Sequence, residues 1–257
     1  MTIYVNMIKR LLWLLVIVFV ITYIVSLNIE NQIVVVNSKW ISNNFLFAIF
    51  GGAFASLLIV LAYEILKYFQ LKKEAENTLF SHFENLYNQV LQIRSTCIRA
   101  LNGHAAITEN MIQQATNDAN LCLDAINWTD YMPFRRNDSI YKLLICFRQN
   151  NYQTIKSILT DCLYLTMAIQ TDRIVMLSQG IPDKITSNST NTNAVLKKTI
   201  GQTAILLTHI DQNITLIDKV LGNRYNWQII KQTINAYQDG FTSKSLEDYL
   251  SEDIISL

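Results

Sequence analysis

The sequence predicts an all-α protein: an N-terminal two-span transmembrane hairpin followed by a cytosolic helical bundle. Two uncharged apolar stretches before residue 67 predict the spans. Apolar residues recurring at three- and four-residue steps through most of the remaining chain predict the bundle. The 257 residues include only 7 Gly and 2 Pro, which excludes collagen and most loop-rich β architectures, where turn residues recur every ~8–12 positions. Charged residues make up 16%, against a typical ~25%. The formal net charge of +1 gives no support to bulk nucleic-acid binding. Three segments follow: the hairpin at 1–66, the bundle at 67–240 and an acidic amphipathic tail at 241–257.

The first span is Leu11 to Leu27, 17 uncharged residues that reach the ~20 needed to cross hydrocarbon once flanking residues are added. Lys9 and Arg10 precede it, as in a signal peptide. The apolar core is longer than a secretory h-region, and Ser26-Leu27-Asn28 is a poor cleavage site. The second span is Phe45 to Tyr63, 19 uncharged residues. Lys67, Lys72 and Lys73 follow it, while the loop from Asn28 to Asn44 carries only Lys39. The excess of Lys and Arg near the outer ends predicts that both termini and the main domain face the cytosol, and the low charge with Asn-, Ile- and Lys-rich usage fits a bacterial inner membrane. Neither span carries a charge, which argues against a proton relay or ion transporter.

The second span contains Ala48, Gly51, Gly52, Ala55 and Ser56. Gly51 with Ala55, and Gly52 with Ser56, form small-xxx-small pairs, which let helix backbones approach closely in lipid. The partner is either the chain's own first span or a second copy. A pore built from these helices would be lined by small and apolar groups and gate by dewetting.

From Glu64 to Leu101 there is no Gly or Pro. Leu79, Phe83, Leu86, Val90, Cys97 and Leu101 form one apolar stripe, with Phe80, Tyr87 and Ile98 beside it. Residues 45 to 101 as one helix would be about 85 Å long, ended by Gly103. A second cytosolic helix starts at Thr108, with Ile112, Ala115, Ala119, Cys122 and Ile126 inward. Trp128 to Asn137 is a connector. Asp138 caps a short helix through Phe147. Thr154 to Ser178 is a long helix, with Ile155, Ile158, Leu159, Cys162, Leu165, Ile169 and Leu177 inward, stopped by Gly180 and Pro182. Ser187 to Asn193 reads as a polar loop joining antiparallel helices. Ala194 to Leu221 is a helix closed by Gly222, and Trp227 to Tyr237 one closed by Gly240. In the tail, Glu247, Asp248, Glu252 and Asp253 alternate with Leu246, Tyr249, Leu250 and Ile254 and offer a surface for a protein partner.

Cys97, Cys122, Cys146 and Cys162 show no CxxC spacing and read as reduced, buried thiols. The sequons at Asn137, Asn188 and Asn213 would be cytosolic and unused. There is no phosphate-binding loop, dinucleotide fingerprint, zincin motif or nucleophile elbow. His82, His104 and His209 lack carboxylates at metal-ligand spacing, apart from His209 with Asp211 two residues on, which fall on different helix faces, so no metal and no cofactor are expected.

Two sets of residues bear on chemistry. Trp128, Tyr131, Phe134, Arg135 and Arg136 combine aromatic faces with an Arg pair, a composition that stacks and grips single-stranded RNA or a nucleotide. The same residues also read as a loop with aromatics turned inward. From residue 68 onward there are 17 Lys+Arg and 18 Asp+Glu, so any RNA contact must be local. Arg99 and His104 form an Arg-x4-His pattern, which also reads as a capping His beside a helix end.

The Arg99–His104 spacing resembles the short Arg–His motif of HEPN-type RNases, which are all-α. The resemblance implies that Arg99 would hold a scissile phosphate and His104 act as general acid or base, converging with a second subunit. With the membrane anchor, the whole chain resembles the membrane accessory proteins of RNA-targeting (type VI) CRISPR systems, HEPN-like proteins with degraded catalytic residues. That resemblance implies an oligomeric effector that perturbs the membrane in antiviral defence. The alternatives are a membrane-anchored scaffold or signalling subunit, and a HEPN-like RNase.

Overall fold

The computed structural model describes residues 2–30, 43–101, 109–128, 138–179 and 190–239. Among them the chain is helical and no strand occurs. Seven helices follow in order: α1 (Thr2–Glu30), α2 (Asn43–Leu101), α3 (Glu109–Trp128), α4 (Ser139–Asn150), α5 (Tyr152–Ser178), α6 (Thr190–Val220) and α7 (Trp227–Asp239). The chain divides into two compact units. One is built on Met1–Glu76, the other on Asn77–Asp130 and Arg136–Leu257, and the boundary between them falls inside α2.

The first unit holds α1 and the apolar beginning of α2. Neither stretch contains proline, so every main-chain donor past the first turn can bond within its helix. Gly51 and Gly52 lie in the helix interior, where each costs about 1 kcal/mol relative to Ala.

The second unit begins with the rest of α2, one helix of 59 residues in all. Leu79, Phe83, Leu86, Val90, Ile93 and Cys97 are buried along it. These are the positions the 3.6-residue period selects, with Ile93 added and Leu101 only half-buried. Phe83 meets Phe147 of α4 edge-on, at 5.0 Å between ring centroids. On α3, Ile112, Ala115, Ala119, Leu123 and Ile126 are buried. Cys122, expected inward, is half-buried, and its neighbour Leu123 takes the core position. The two lie about 100° apart on the helix, so one position at the edge of a stripe decides which is covered.

Asp138 caps α4 as its sequence position predicts. Its backbone is extended and its carboxylate accepts the Ile140 N–H at 3.0 Å. Asn151 then serves two helices. Its N–H reaches the Phe147 carbonyl at 2.8 Å to close α4, and its own carbonyl accepts the Ile155 N–H at 2.9 Å to open α5. On α5, Ile155, Leu159, Cys162, Leu165 and Ile169 are buried and Ile158 is half-buried.

The polar run expected as a loop up to Asn193 is already helical from Thr190. Thr192 is buried and its hydroxyl donates to the Asp172 carboxylate of α5, so this part of the polar run faces a helix rather than water. Gly103, Gly180, Pro182, Gly240 and the acidic tail lie outside the described residues.

α6 ends where glycine permits. Gly222 has φ +79, a left-handed conformation that L side chains resist. Its N–H bonds the Lys219 carbonyl at 3.1 Å and the Asn223 N–H bonds the Asp218 carbonyl at 2.7 Å, the paired closure of a Schellman motif. The chain then turns into α7, and Trp227, 1% exposed, is the largest fully buried side chain among the described residues. Phe80 stacks on Tyr225 at 4.0 Å, and Tyr87 meets Trp227 edge-on at 5.2 Å. Aromatic pairs of this kind contribute about 0.5–1.5 kcal/mol each beyond their area.

Candidate functional site

The first unit presents an unusual surface. Within α1, Asn6–Leu27 is long and apolar enough to cross a membrane, and so is a window of α2 within Ala48–Leu101. Only 6% of either window is buried inside the chain. The core helix of a soluble protein of this length would be mostly covered. Here Leu12, Trp13, Ile17, Phe19, Val20 and Ile24 on α1 are exposed, as are Ile49, Leu58, Ile59 and Val60 on α2. Covering a large apolar side chain fully is worth about 1.5–3 kcal/mol. Ten such residues, each roughly half uncovered, leave on the order of 10 kcal/mol to be gained from an apolar surrounding.

Within this unit Phe19 lies against Phe54, at 5.7 Å between centroids, and stacks on Tyr23 at 6.4 Å. Val25 and Leu61 are its buried apolar residues. The Thr22 hydroxyl donates to the Val18 carbonyl at 2.7 Å, so this polar group is satisfied inside its own helix. The small residues of α2 face largely outward. Ala48, Gly52, Ala55 and Ser56 are exposed and Gly51 is half-buried. A Cβ placed on Gly51 or Gly52 would meet nothing within 4 Å. The absence of side chains there is therefore not required by packing within the chain. Glu64, the first charge after the apolar stretch, is half-buried, and its Oε2 lacks a hydrogen-bond partner.

Of the Arg–His pair, Arg99 lies half-buried in the last turn of α2, where a cation complements the helix dipole. His104 lies outside the described residues, as do Tyr131, Phe134, Arg135 and Arg136. Trp128 is the last residue of α3. Among the described residues no three His, Cys, Asp or Glu group as metal ligands would. Cys97 and Cys162 are buried free thiols, and Cys122 is half-buried. Cys146, expected inside, is exposed: it sits on the outer side of α4, whose core face is Ile140, Leu144 and Phe147. Burial pushes the Cys97 thiol up strongly, and burial together with Asp161 pushes Cys162 up to about 12. Both thiols therefore stay protonated and unreactive.

Sequence reasoning missed four polar arrangements in the second unit. Arg94 is buried on the apolar stripe of α2. Its Nη1 donates to the Ile200 carbonyl of α6 at 2.9 Å, and burial lowers the pKa of its guanidinium. Its signal was a charge three residues before Cys97 and four after Val90. Asp124 of α3 accepts from the Tyr152 hydroxyl at 2.7 Å and from the Lys156 ammonium at 2.8 Å, both on α5. Burial raises the Asp124 pKa, but Lys156 and Tyr152 outweigh burial and hold it below the usual carboxylate range. The bond to Asp124, with some burial, pushes Tyr152 up to about 12. Asp211 accepts from the indole N–H of Trp227 at 2.7 Å and from Lys231 at 3.0 Å. Asp218 is buried and accepts the main-chain N–H groups of Tyr225 and Trp227, at 3.0 and 2.9 Å. Each joins different helices or a helix and its following turn, which one-dimensional spacing cannot display.

No protein-family model, no curated protein and no solved structure matches the chain.

Proposed function

We propose that this chain is an oligomeric, membrane-embedded effector. α1 and the apolar beginning of α2 cross the bilayer as a hairpin, and the helical bundle stands on the cytosolic side. The observation that carries this reading is the exposure of two apolar windows, each with only 6% of its residues buried. Hydrocarbon is the surrounding that such a surface suits. Hairpin geometry is supported by the contact of Phe19 with Phe54. Phe19 lies eleven residues before the end of α1 and Phe54 eleven after the start of α2. Two antiparallel helices bring such equidistant positions level. The orientation rests on Lys9, Arg10, Lys67, Lys72 and Lys73 at the outer ends, against Lys39 between the spans.

Oligomerisation is supported by the outward-facing Ala48, Gly52, Ala55 and Ser56, which offer a second helix a close approach. An assembly lined by such uncharged helices would perturb a bilayer rather than select ions. The antiviral setting rests on the resemblance in architecture alone.

The test is made on the full chain in mild detergent and in liposomes. The expected result is membrane pelleting that resists alkaline carbonate, a defined multimer by mass photometry, and dye release from loaded liposomes. Extraction by carbonate overturns the membrane reading. A membrane-bound monomer that leaves liposomes sealed overturns the effector reading and leaves only an anchor.

A further inference from the structure

α5 has an apolar face and, opposite it, an uncharged one. Its inward face, Ile155 to Ile169, is buried in the bundle. A second stripe runs along its outside: Gln153, Ser157, Thr160, Tyr164, Met167, Thr171, Ile174 and Ser178, all exposed. These positions alternate steps of four and three, the spacing of a helix–helix seam. Tyr164 is 60% exposed, Met167 59% and Ile174 67%, and Val175 beside them 46%. Among the described side chains of the helix eleven are exposed and none of these is charged, where an ordinary surface at about 25% charged would show roughly three. The charges described on α5 face other helices instead. Lys156 pairs with Asp124, Asp161 accepts from Gln202, and Asp172 accepts from Thr192. The described exposed residues of α3 and α7 are also uncharged, but six of these twelve are Asn or Gln amides, which hydrate well, against two of the eleven on α5.

We infer that the outer face of α5 is a contact surface for a second copy of this chain. The argument is one of charge. In a two-fold contact the same patch serves both subunits, and a charge near the axis meets its own copy. An uncharged seam is what such a contact demands, whereas discrimination of a different protein usually uses complementary charge. The seam is symmetric about a point between Leu165 and Thr166. An antiparallel pair would set Tyr164 against the partner's Met167, and Thr160 against the partner's Thr171. Sulfur against an aromatic ring is a favourable pairing. A seam of this length, about 39 Å at 1.5 Å per residue, buries on the order of 800 Å² per subunit, the size of a standard interface. The run of Gln, Ser and Thr hydroxyls and amides is too polar for a lipid-facing helix. This inference rests on the assembly proposed above and names a surface that sustains it outside the membrane.

The experiment uses the full chain in detergent. Met167→Cys is introduced with Cys146→Ser, which removes the exposed native thiol, and treated with a short bis-maleimide. Gln212→Cys on the outer side of α6 is the control position. Separately, Met167→Lys and Ile174→Lys are combined, and Met167→Leu is the conservative variant. Expected are a dimer band from the Met167 position exceeding that from Gln212 at least fivefold, and an assembly mass at least halved by the two lysines and kept by Met167→Leu. Both lysines sit on exposed positions, so far-UV circular dichroism should stay unchanged. An assembled wild type with no preferential cross-link and no change of mass overturns this inference and leaves the membrane reading standing. A monomeric wild type overturns both. Lysine variants that keep their mass but lose liposome pelleting assign the face to lipid and overturn the contact between copies.

Discussion

Arg94 of α2 reaches across the bundle to the main-chain carbonyl of Ile200, 2.9 Å from its Nη1. Thr203 donates to the same carbonyl at 3.0 Å. A full positive charge is thus held at 6% exposure, and among the described residues no carboxylate pairs with it. Placing an ion in such a site costs several kcal/mol, and one neutral acceptor returns only about 1.5–3.

Replacing Arg94 with Met is therefore expected to leave the fold as stable or raise its melting temperature. The Ile200 carbonyl keeps its Thr203 partner, and the methionine fills most of the volume. Arg94→Ala should lose about 2–4 kcal/mol by leaving a cavity. Thermal denaturation of both variants in detergent checks this. Strong destabilisation by Arg94→Met would mean that the charge itself is needed.

Asp218 sits in the last turn of α6 and receives the N–H of Tyr225 in the following turn and that of Trp227 at the start of α7. Asp218→Ala leaves the buried Trp227 donor without a partner, at about 1–3 kcal/mol, and frees the half-buried Tyr225 donor at a smaller cost. The loss should fall on α7 first, seen as faster amide exchange over Trp227–Asp239 than over α6. Gly222→Ala is expected to cost about 1–2 kcal/mol through its positive φ alone, since the space around it is open.

The Asp124–Tyr152 pair predicts stability changes at both pH extremes. Asp124 is depressed in the folded chain, so its contribution is present above the unfolded value of about 3.9 and is lost as pH falls below it. Tyr152 is raised to about 12, so its contribution is present below the unfolded value of about 10 and is lost as pH rises from there toward 12. Both groups are only half-buried and in part screened by solvent, which keeps the changes small. Asp124→Asn should flatten the acid arm and lower the Tyr152 transition in ultraviolet titration. An unmoved transition would remove the claimed bond.

Gly52→Leu and Ala55→Leu place bulk on the outward side of α2, where a Cβ on Gly52 would meet nothing within 4 Å. The monomer fold should be kept, with helix propensity improved by up to about 1 kcal/mol at Gly52. Assembly mass in detergent should fall and dye release with it. Unchanged mass would show that these small residues do not pack between copies.

Arg99→Ala combined with His104→Ala separates an effector from a nuclease. Under the proposed function, liposome dye release is unchanged by the pair. Cleavage of single-stranded RNA by the wild type, lost in the double variant, would instead establish the RNase reading.

Much of this fold could be read in one dimension. The two apolar stretches, the run from Glu64 to Leu101 without a helix breaker, the Asp138 cap and the Gly222 closure each depend on residues adjacent in sequence. Local rules reach them. The start of α6 escaped because Thr190 to Asn193 look like solvent-loving loop residues until Asp172, twenty positions from Thr192, supplies an acceptor. Arg94 escaped for a related reason. The periodic stripe marks its position as inward, but only Ile200, 106 residues away, shows what meets the charge. On the site, the sequence marked the small residues of the second span, whereas the outward direction of Gly52 and the uncharged outer side of α5 needed three dimensions.

The contacts that cover the second half of α2 also set a timetable. Tyr87 bonds Asn235, and Asn77 bonds Tyr225, both across 148 residues of chain. A ribosome adding about 5–20 residues per second needs roughly 7–30 s to make that length. Through nearly all of this interval Phe80 and Tyr87 have emerged, while Tyr225 and Trp227, which lie against them, have not. A nascent chain of this kind would need a holding chaperone, and shortening that wait by faster translation should raise the yield of folded protein.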